Sequence, residues 1–244
     1  MSFLIVGASA GLGRELARTF AQAGHDLVLV SSDARDISAV AHDVAIRHGV
    51  RVRTVVADVG YDDQHYVDLI ETAITEIGPI EGCLFPVGAA MPDDDGGLPI
   101  SDALWLTRTN YLSIVSIVSR LLPRLSSVDR GIIVGFGSVA ATRGRANNVI
   151  YAAAKRALGS YFESLRHACV GTRVLVQFYV VGYLSTSQAF RPTVLPKGDP
   201  SALAARVYRY RGRDFGIAYY PSWWRYVALL VRAVPWSIFR RLAF

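Results

Sequence analysis

The sequence predicts an α/β protein built on a doubly wound parallel β-sheet with helices on both faces, giving three layers. Apolar runs of strand length alternate with amphipathic stretches of helix length along most of the chain. A glycine-rich segment, GASAGLG at residues 7–13, separates the first strand from the first helix. The 244 residues are 52% hydrophobic and 19% charged, which is typical of a globular protein with one sizeable core.

The alternation follows a regular order along the chain. The predicted strands are FLIVGA, DLVLVS, RVRTVVADV, GCLFPVG, GIIVGFGS and RVLVQFYV. The predicted helices cover Leu12–Ala23, Ile37–His48, Asp62–Ile77, Ser101–Leu122 and Tyr151–Cys169. Parallel strands need crossover helices of this kind, so the sheet is Rossmann-type and ligands should bind at the carboxyl ends of its strands.

The cysteines, histidines and N-terminus carry no predicted chemistry. Cys83 and Cys169 lie in apolar segments without CxxC spacing, which predicts buried, reduced thiols. The five histidines are scattered, and no metal site is predicted. The N-terminus is apolar but lacks basic residues and is interrupted at Gly7. We therefore expect no signal peptide and a cytoplasmic protein.

The net charge of +6 is concentrated at the C-terminal end. Residues 201–244 contain eight arginines and one acid, Asp214, so this segment carries +7 and the first 200 residues carry −1. A basic segment of this kind suits an anionic surface or ligand. Nucleic acid is not expected as a partner, because no recognition motif accompanies the charge.

The segment SWWRYVALLVRAVPWSIFRRLAF forms an amphipathic tail. Its uncharged runs, among them Tyr226–Val231, are far below the ~20 residues that span a bilayer. Trp223, Val227, Leu230 and Val234 recur at helical spacing, and Pro235 should break the helix before a second short one. Tryptophan beside arginine suits a membrane interface, and packing on the domain is the alternative. We expect a catalytic domain over residues 1–220 and this tail over 221–244.

The glycines at positions 7, 11 and 13 predict a nucleotide cofactor. They let the backbone turn tightly and approach a pyrophosphate, whose charge the N-terminus of the following helix stabilises. The tip of the second strand bears on the choice between NADH and NADPH, because an acid there binds a ribose hydroxyl and a base accepts a 2′-phosphate. That tip is Ser31-Ser32, with Asp33 and Arg35 further along, so we expect use of NAD(P)H with a slight preference for NADPH. Asp58 is expected near the adenine, or as an ordinary solvated aspartate.

A second group of residues predicts proton transfer. Tyr151 and Lys155 are four positions apart at the start of a helix, so their side chains share one face. A lysine ammonium near a phenol lowers the phenol's pKa towards the range useful for general acid–base catalysis. Ser138, at the end of a different strand, can hydrogen-bond the same substrate oxygen. These three side chains should form a relay opposite a nicotinamide.

The chain resembles the short-chain dehydrogenases/reductases over at least residues 2–187. The resemblance rests on Gly7, Gly11, Gly13, Asp58, Asn110, Ser138, Tyr151 and Lys155 in this order. It implies that Tyr151 is the general acid/base and that Lys155 holds the nicotinamide ribose and lowers the Tyr151 pKa. It implies that Ser138 orients the carbonyl and that Asn110 positions a water. The implied cofactor contacts are Gly7, Ser9, Gly11, Leu12, Gly13, Ser31, Ser32, Asp58, Val59, Gly88, Tyr151, Lys155, Gly182 and Thr186.

Two segments depart from the family pattern. The usual Asn-Asn-Ala-Gly after the fourth strand is FPVG here, which keeps Gly88 alone. The usual Pro-Gly after the sixth strand is Val181-Gly182, whereas Thr186, expected at the nicotinamide amide, is kept. These departures affect the local shape of the cofactor site and leave the relay residues in place.

Within the family, SVAATRGRANNVIYAAAKRALGSYF, TNYLSIVSI and the tail are similar to reductases of a 2-keto pentose carried on polyprenyl phosphate. This resemblance implies a hydrophobic, lipid-linked ketone substrate, a separate flavin oxidase as partner, a peripheral membrane location in cell-wall precursor synthesis and a homo-oligomer. Arg143 and Arg145 are candidates to meet the substrate phosphate, with solvated loop arginines as the alternative. A reductase of 3-oxoacyl or other long-chain ketones, and a nucleotide-binding scaffold without turnover, are the rival hypotheses.

Overall fold

The computed structural model describes residues 1–61, 65–185 and 196–241, which form one sheet of seven parallel strands flanked by helices. The strands are β1 (Ser2–Val6), β2 (Asp26–Ser31), β3 (Val52–Val56), β4 (Ile80–Phe85), β5 (Gly131–Ser138), β6 (Val174–Val181) and β7 (Ile217–Tyr220). Their order in the sheet is β3-β2-β1-β4-β5-β6-β7. The order reverses direction between β1 and β4, and a crevice for ligands opens at such a switch point.

Helices cover both faces of the sheet. They are α1 (Gly11–Gln22), α2 (Ala34–His48), α3 (His65–Ile77), α4 (Ile100–Thr107), α5 (Ser113–Ser127), α6 (Val149–Ala168), α7 (Pro200–Tyr210), α8 (Trp224–Ala233) and α9 (Trp236–Phe239). A π-helical turn, Arg108–Leu112, joins α4 to α5, and a 3₁₀ turn, Val139–Thr142, follows β5. The predicted three-layered α/β fold is confirmed.

The core consists of two apolar layers, one on each side of the sheet. Alternate residues of the strands pack against α3, α5 and α6 on one side and against α1, α2 and α7 on the other. Packing is close enough that a Cβ added to Gly135 would lie 2.5 Å from the Phe162 ring. Cys83 and Cys169 are buried and free, as the sequence predicts.

Several element boundaries differ from the sequence prediction. Strand β7 and helix α7 were not predicted; for β7 the reason is that a four-residue edge strand gives little periodicity. Helix α2 begins three residues early, since the Asp33 carboxylate accepts a hydrogen bond from the Asp36 N–H and caps it. The prediction that the long helix ends before Pro123 was wrong: α5 continues through this proline for one further turn, to Ser127.

The tail packs on the domain along one side and leaves its other side exposed. Trp224, Ala228 and Phe239 are buried, and the Trp224 indole fills the space above Gly182, where an added Cβ would lie 2.0 Å from its Nε1. The Arg143 guanidinium donates hydrogen bonds to the Val231 and Val234 carbonyls at the end of α8 and lies 4.0 Å from the centre of the Phe239 ring. The break at Pro235 between two helices is confirmed.

The outer side of the tail exposes apolar side chains beside arginines, among them Arg225 and Arg232. It exposes Tyr226, Leu229, Leu230, Trp236 and Ile238. The predicted stripe through Trp223, Val227 and Val234 is half-buried, while its fourth member, Leu230, is 69% exposed. Among the described helices, none combines the length and apolar character that a membrane crossing requires.

The packing predicts unequal effects for two substitutions in α8. Trp224→Ala should lower the free energy of unfolding by about 3–5 kcal/mol, because it removes a buried aromatic ring. Leu230→Ala on the exposed side should change it by less than about 0.5 kcal/mol. Equilibrium unfolding in urea checks both values, and equal effects would contradict the packing of the tail described above.

Candidate active site

A cleft of about 640 Å³ lies at the carboxyl ends of β1, β2, β4, β5 and β6. The predicted cofactor and catalytic residues that line it are Gly7, Ser9, Gly11, Leu12, Gly13, Ser31, Ser32, Asp58, Val59, Gly88, Ser138, Tyr151, Lys155 and Gly182. Thr186 lies outside the described residues. The structure therefore brings together loops that are distant in sequence, as the topology requires.

The turn between β1 and α1 fits a dinucleotide pyrophosphate. Gly7 has φ +91°, and a Cβ there would lie 2.7 Å from the Val87 Cα. A Cβ on Gly13 would lie 1.8 Å from the Gly7 carbonyl oxygen, so glycine lets α1 start directly against the strand. Ala10, at the start of α1, supplies no side-chain cap, and the first turn contains no acid. The helix N-terminus is thus available to an anion.

Serine hydroxyls form the floor of the cleft at the tip of β2. Ser31 and Ser9 share a hydrogen bond of 2.8 Å between their hydroxyls. Asp33 is used as the cap of α2, and Arg35 pairs with Asp36. No acidic side chain from this tip is among the residues that line the cleft in the described part of the chain.

Asp58 is anchored at the cleft wall by a partner that the sequence analysis missed. Its carboxylate accepts hydrogen bonds from the Trp105 indole, at 3.2 Å, and from the Gly60 N–H, at 2.9 Å. Trp105 lies on α4 and also lines the cleft. A tryptophan in an amphipathic helix gives no sequence signal of such a contact.

Tyr151 and Ser138 meet at the base of the cleft. The Ser138 hydroxyl is hydrogen-bonded to the Tyr151 phenol and accepts the Ala140 N–H at 3.1 Å. Burial raises the pKa of Tyr151, while the Ser138 hydrogen bond and the positive charge of Arg145 act in the opposite direction. The expectation that Lys155 lowers this pKa is not met in this structure, because removal from water outweighs the favourable contacts and Lys155 is not among them.

Lys155 is buried behind Tyr151 on the same face of α6. Its ammonium donates hydrogen bonds to the Val87 carbonyl at 3.0 Å and to the Phe136 carbonyl at 3.3 Å. Burial lowers the pKa of Lys155 to about 8. A Cβ added to Gly88 would lie 3.1 Å from its Nζ, so this glycine keeps the approach to the amine open.

The two candidate phosphate ligands have different positions. Arg145 lines the cleft, and its Nε is buried without a hydrogen-bond partner among the described residues. Arg143 is not among the cleft-lining residues, because the tail carbonyls and the Phe239 ring hold its guanidinium. The geometry therefore supports Arg145 alone as a substrate contact.

Asn110 stands behind the cleft, in the π-helical turn. Its amide donates to the Ala89 and Leu106 carbonyls, at 2.8 and 2.9 Å, and its oxygen accepts the Ala89 N–H at 3.2 Å. The side chain is fully buried and fixes the loop after β4. π-helical turns are frequent at functional sites. The role of Asn110 in positioning a water stays a prediction.

Asp94 holds the first turn of α6 and was not predicted. Its buried carboxylate accepts the Ile150 and Tyr151 N–H groups, both at 2.9 Å. Asn148, just before the helix, has a left-handed φ of +61° and supplies no side-chain cap, so Asp94 from the loop after β4 replaces it. MPDDDGG contains three adjacent aspartates, and nothing in the sequence distinguishes this one.

The described residues hold no cluster of histidine, cysteine and acidic side chains suited to a metal ion. The site thus presents a phenol, a hydroxyl and two cations beside a loop shaped for a dinucleotide. This combination can protonate a carbonyl oxygen as the carbon is reduced.

Comparison with known proteins points to the same chemistry. A family profile described as short chain dehydrogenase matches residues 2–192. An uncharacterised oxidoreductase from Mycobacterium tuberculosis is 26% identical over 243 residues, covering 98% of this chain and 96% of the relative. One from Myxococcus xanthus is 30% identical over 183 residues, covering 75% and 72%. The structure of a Sphingobium yanoikuyae short-chain dehydrogenase in complex with NADPH has a TM-score of 0.82 at 23% identity, covering 100% and 98%, which is a likeness of fold.

Tyr151→Phe should reduce ketone reduction by about a hundredfold or more, because it removes the proton donor. The dissociation constant for NADPH should change by less than about threefold, since the glycine turn is untouched. Tyr161→Phe, the same change further along α6, is the matched control and should keep full activity. Steady-state kinetics and fluorescence titration measure these effects, and substantial turnover by Tyr151→Phe would refute the assignment.

Asp94→Ala should lower stability by about 1–2 kcal/mol, because two helix N–H groups lose their acceptor. It should also lower kcat more than it raises KM, since Tyr151 is the second residue held by this carboxylate. Asp93→Ala, at the exposed position next to Asp94, is the control and should change neither the stability nor the ratio of kcat to KM. Thermal unfolding and steady-state kinetics decide the matter; equal behaviour of the two variants would contradict the positioning role.

Proposed function

Because the chain belongs to the short-chain dehydrogenase family, we propose that this NAD(P)-dependent oxidoreductase reduces a ketone on a lipid-linked substrate. The finer proposal is the 2-keto group of a pentose carried on polyprenyl phosphate. The observation that carries it is the position of the amphipathic tail, whose buried side packs beside the catalytic cleft and whose outer side exposes apolar side chains.

The relay residues have defined roles in such a reduction. A bound nicotinamide cofactor would supply the hydride. Ser138 would hold the carbonyl oxygen, and Tyr151, kept protonated by its raised pKa, would donate a proton to that oxygen. The positive charge of Arg145 would stabilise the phenolate left behind. The hydrogen bonds of Lys155 to two carbonyls would hold the helix face that carries Tyr151 against the sheet.

NADPH is the proposed preferred cofactor. The tip of β2 presents the hydroxyls of Ser31 and Ser32 and no cleft-lining acid within the described residues, so nothing described there would repel a 2′-phosphate. The Sphingobium enzyme of similar fold was solved in complex with NADPH, which agrees with this proposal.

The lipid-linked substrate is supported by contacts between tail and cleft. The Trp224 ring packs on Tyr183, with 5.8 Å between ring centres, and on Gly182; both of these residues line the cleft. Helix α8 also contacts the 3₁₀ turn that follows Ser138. A substrate whose chain leaves the cleft on this side would meet the exposed apolar surface of the tail.

The resemblance of the tail and of the Ser138–Tyr151 segment to the reductase subunit of decaprenylphosphoryl-ribose 2′-epimerase supports the sugar substrate. In that system a separate flavin oxidase makes the ketone, so such an oxidase is the proposed partner of this chain, at the inner face of the membrane. Arg145, with its unpartnered Nε in the cleft, is the proposed contact to the substrate phosphate.

Replacing exposed apolar residues of the tail with polar ones tests whether the substrate is lipid-linked. Leu229→Ser with Leu230→Ser should weaken binding to anionic vesicles and turnover of a polyprenyl-linked ketose by about tenfold or more, because apolar contact with lipid is lost. Reduction of a short water-soluble ketone should stay unchanged. Ile46→Ser, at an exposed apolar position on α2, is the control.

Cosedimentation with vesicles and parallel assays on the two ketones measure the effect. Unchanged vesicle binding together with unchanged turnover of the polyprenyl substrate would reject the lipid-linked substrate. Efficient turnover of a 3-oxoacyl ester in preference to the ketose would favour the long-chain acyl alternative, which would use the same relay.

A further inference from the structure

A second cavity, of about 320 Å³, lies at the β7 edge of the sheet and shares no lining residue with the catalytic cleft. Its walls come from β6, α7, the turn before β7, β7 itself and the start of α8. Three arginines line it, Arg206, Arg213 and Arg225, together with Tyr179, Tyr210 and Tyr219. No acidic side chain is among the lining residues that the structure describes. The cavity is therefore strongly cationic.

The three arginines lack carboxylate partners in the described part of the chain. Asp214, the acid next to Arg213, is bound by Arg166 at 2.9 and 3.0 Å. The guanidinium groups of Arg206 and Arg213 lie 5.8 and 5.0 Å from the centre of the same Tyr210 ring. An arginine held against an aromatic face keeps its N–H groups free for a planar set of acceptors.

Tyr179 supplies an independent observation that points to a ligand. Its side chain is fully buried, stacked on Phe136 with ring centres 5.8 Å apart and edge-on to Phe215 at 5.3 Å. Tyr179 is one of the residues that line the cavity, and its buried hydroxyl has no hydrogen-bond partner among the described residues. A buried hydroxyl without a partner is unfavourable, and a bound ligand that accepts its hydrogen bond would remove this cost. Burial raises the pKa of Tyr179, so the hydroxyl stays a donor.

We propose that this cavity binds a phosphate or diphosphate group, with the arginines neutralising its charge and Tyr179 donating to one of its oxygens. A phosphate carries close to two negative charges and several acceptor oxygens, which matches a cluster of fork-shaped cations and a neutral donor. The group belongs either to a soluble phosphorylated molecule or to a phospholipid headgroup. This site goes beyond the proposed ketone reduction and does not depend on it.

Titration of the protein with inorganic pyrophosphate, with NADPH present in excess to fill the glycine turn, tests the site by calorimetry. Arg206→Gln and Tyr179→Phe should each weaken binding by about tenfold or more. Arg209→Gln, an exposed arginine on the same helix outside the cavity, should leave it unchanged. Tyr179→Phe should also leave the ligand-free protein as stable as the wild type or more so, because it removes an unsatisfied hydroxyl.

Vesicles of phosphatidylcholine with and without phosphatidic acid separate the two sources of the phosphate group. If Arg206→Gln loses binding to the phosphatidic acid vesicles and Arg209→Gln keeps it, a lipid headgroup is the ligand. If Arg206→Gln loses pyrophosphate binding but still binds the phosphatidic acid vesicles, the ligand is a soluble phosphorylated molecule. Equal pyrophosphate affinity in the wild type, Arg206→Gln and Tyr179→Phe would overturn the proposal, as would an absence of binding to the wild type.

Discussion

The buried ammonium of Lys155 is the contact on which the geometry of the active site depends. It joins three segments, because it is carried by α6 and donates to the Val87 carbonyl in the loop after β4 and to the Phe136 carbonyl in β5. The same helix presents Tyr151 one turn earlier, while β5 ends at Ser138. The Lys155 ammonium thus links α6, which carries Tyr151, to β5, which carries Ser138. Burial at this position disfavours the charged form and lowers the pKa of Lys155 to about 8.

The protonation of the relay follows from a competition between burial and charge. Loss of hydration dominates at Tyr151 and raises its pKa, while Ser138 and Arg145 oppose the change without reversing it. A protonated phenol is the form that reduction of a ketone needs, since the product alkoxide must receive a proton.

The sequence was sufficient to predict most of the fold and that Ser138, Tyr151 and Lys155 lie in one cleft, because both depend on local signals. Periodicity identified six of the seven strands, and the glycine turn and the Tyr151–Lys155 spacing marked the cleft. The sequence analysis missed the capping of α6 by Asp94 and the hydrogen bond from Trp105 to Asp58. Contacts between residues 47 or more positions apart leave no periodic pattern in the sequence. The sequence also offered Arg143 as a candidate contact to the substrate phosphate, because a loop position cannot reveal that the tail folds back onto it. The apolar spacing in α8 could not show which side would be covered.

The central claim is that hydride reduction of a carbonyl carbon in this cleft is coupled to proton donation by Tyr151. Single-turnover reduction with NADPH deuterated at C4, in H₂O and in D₂O, tests it most directly on a panel of a polyprenyl-linked ketose, a 3-oxoacyl ester and a short ketone. The account predicts that deuterium appears on the carbinol carbon and that the deuterated cofactor and D₂O each slow the reduction step. Failure to transfer deuterium to any carbonyl of the panel would contradict it.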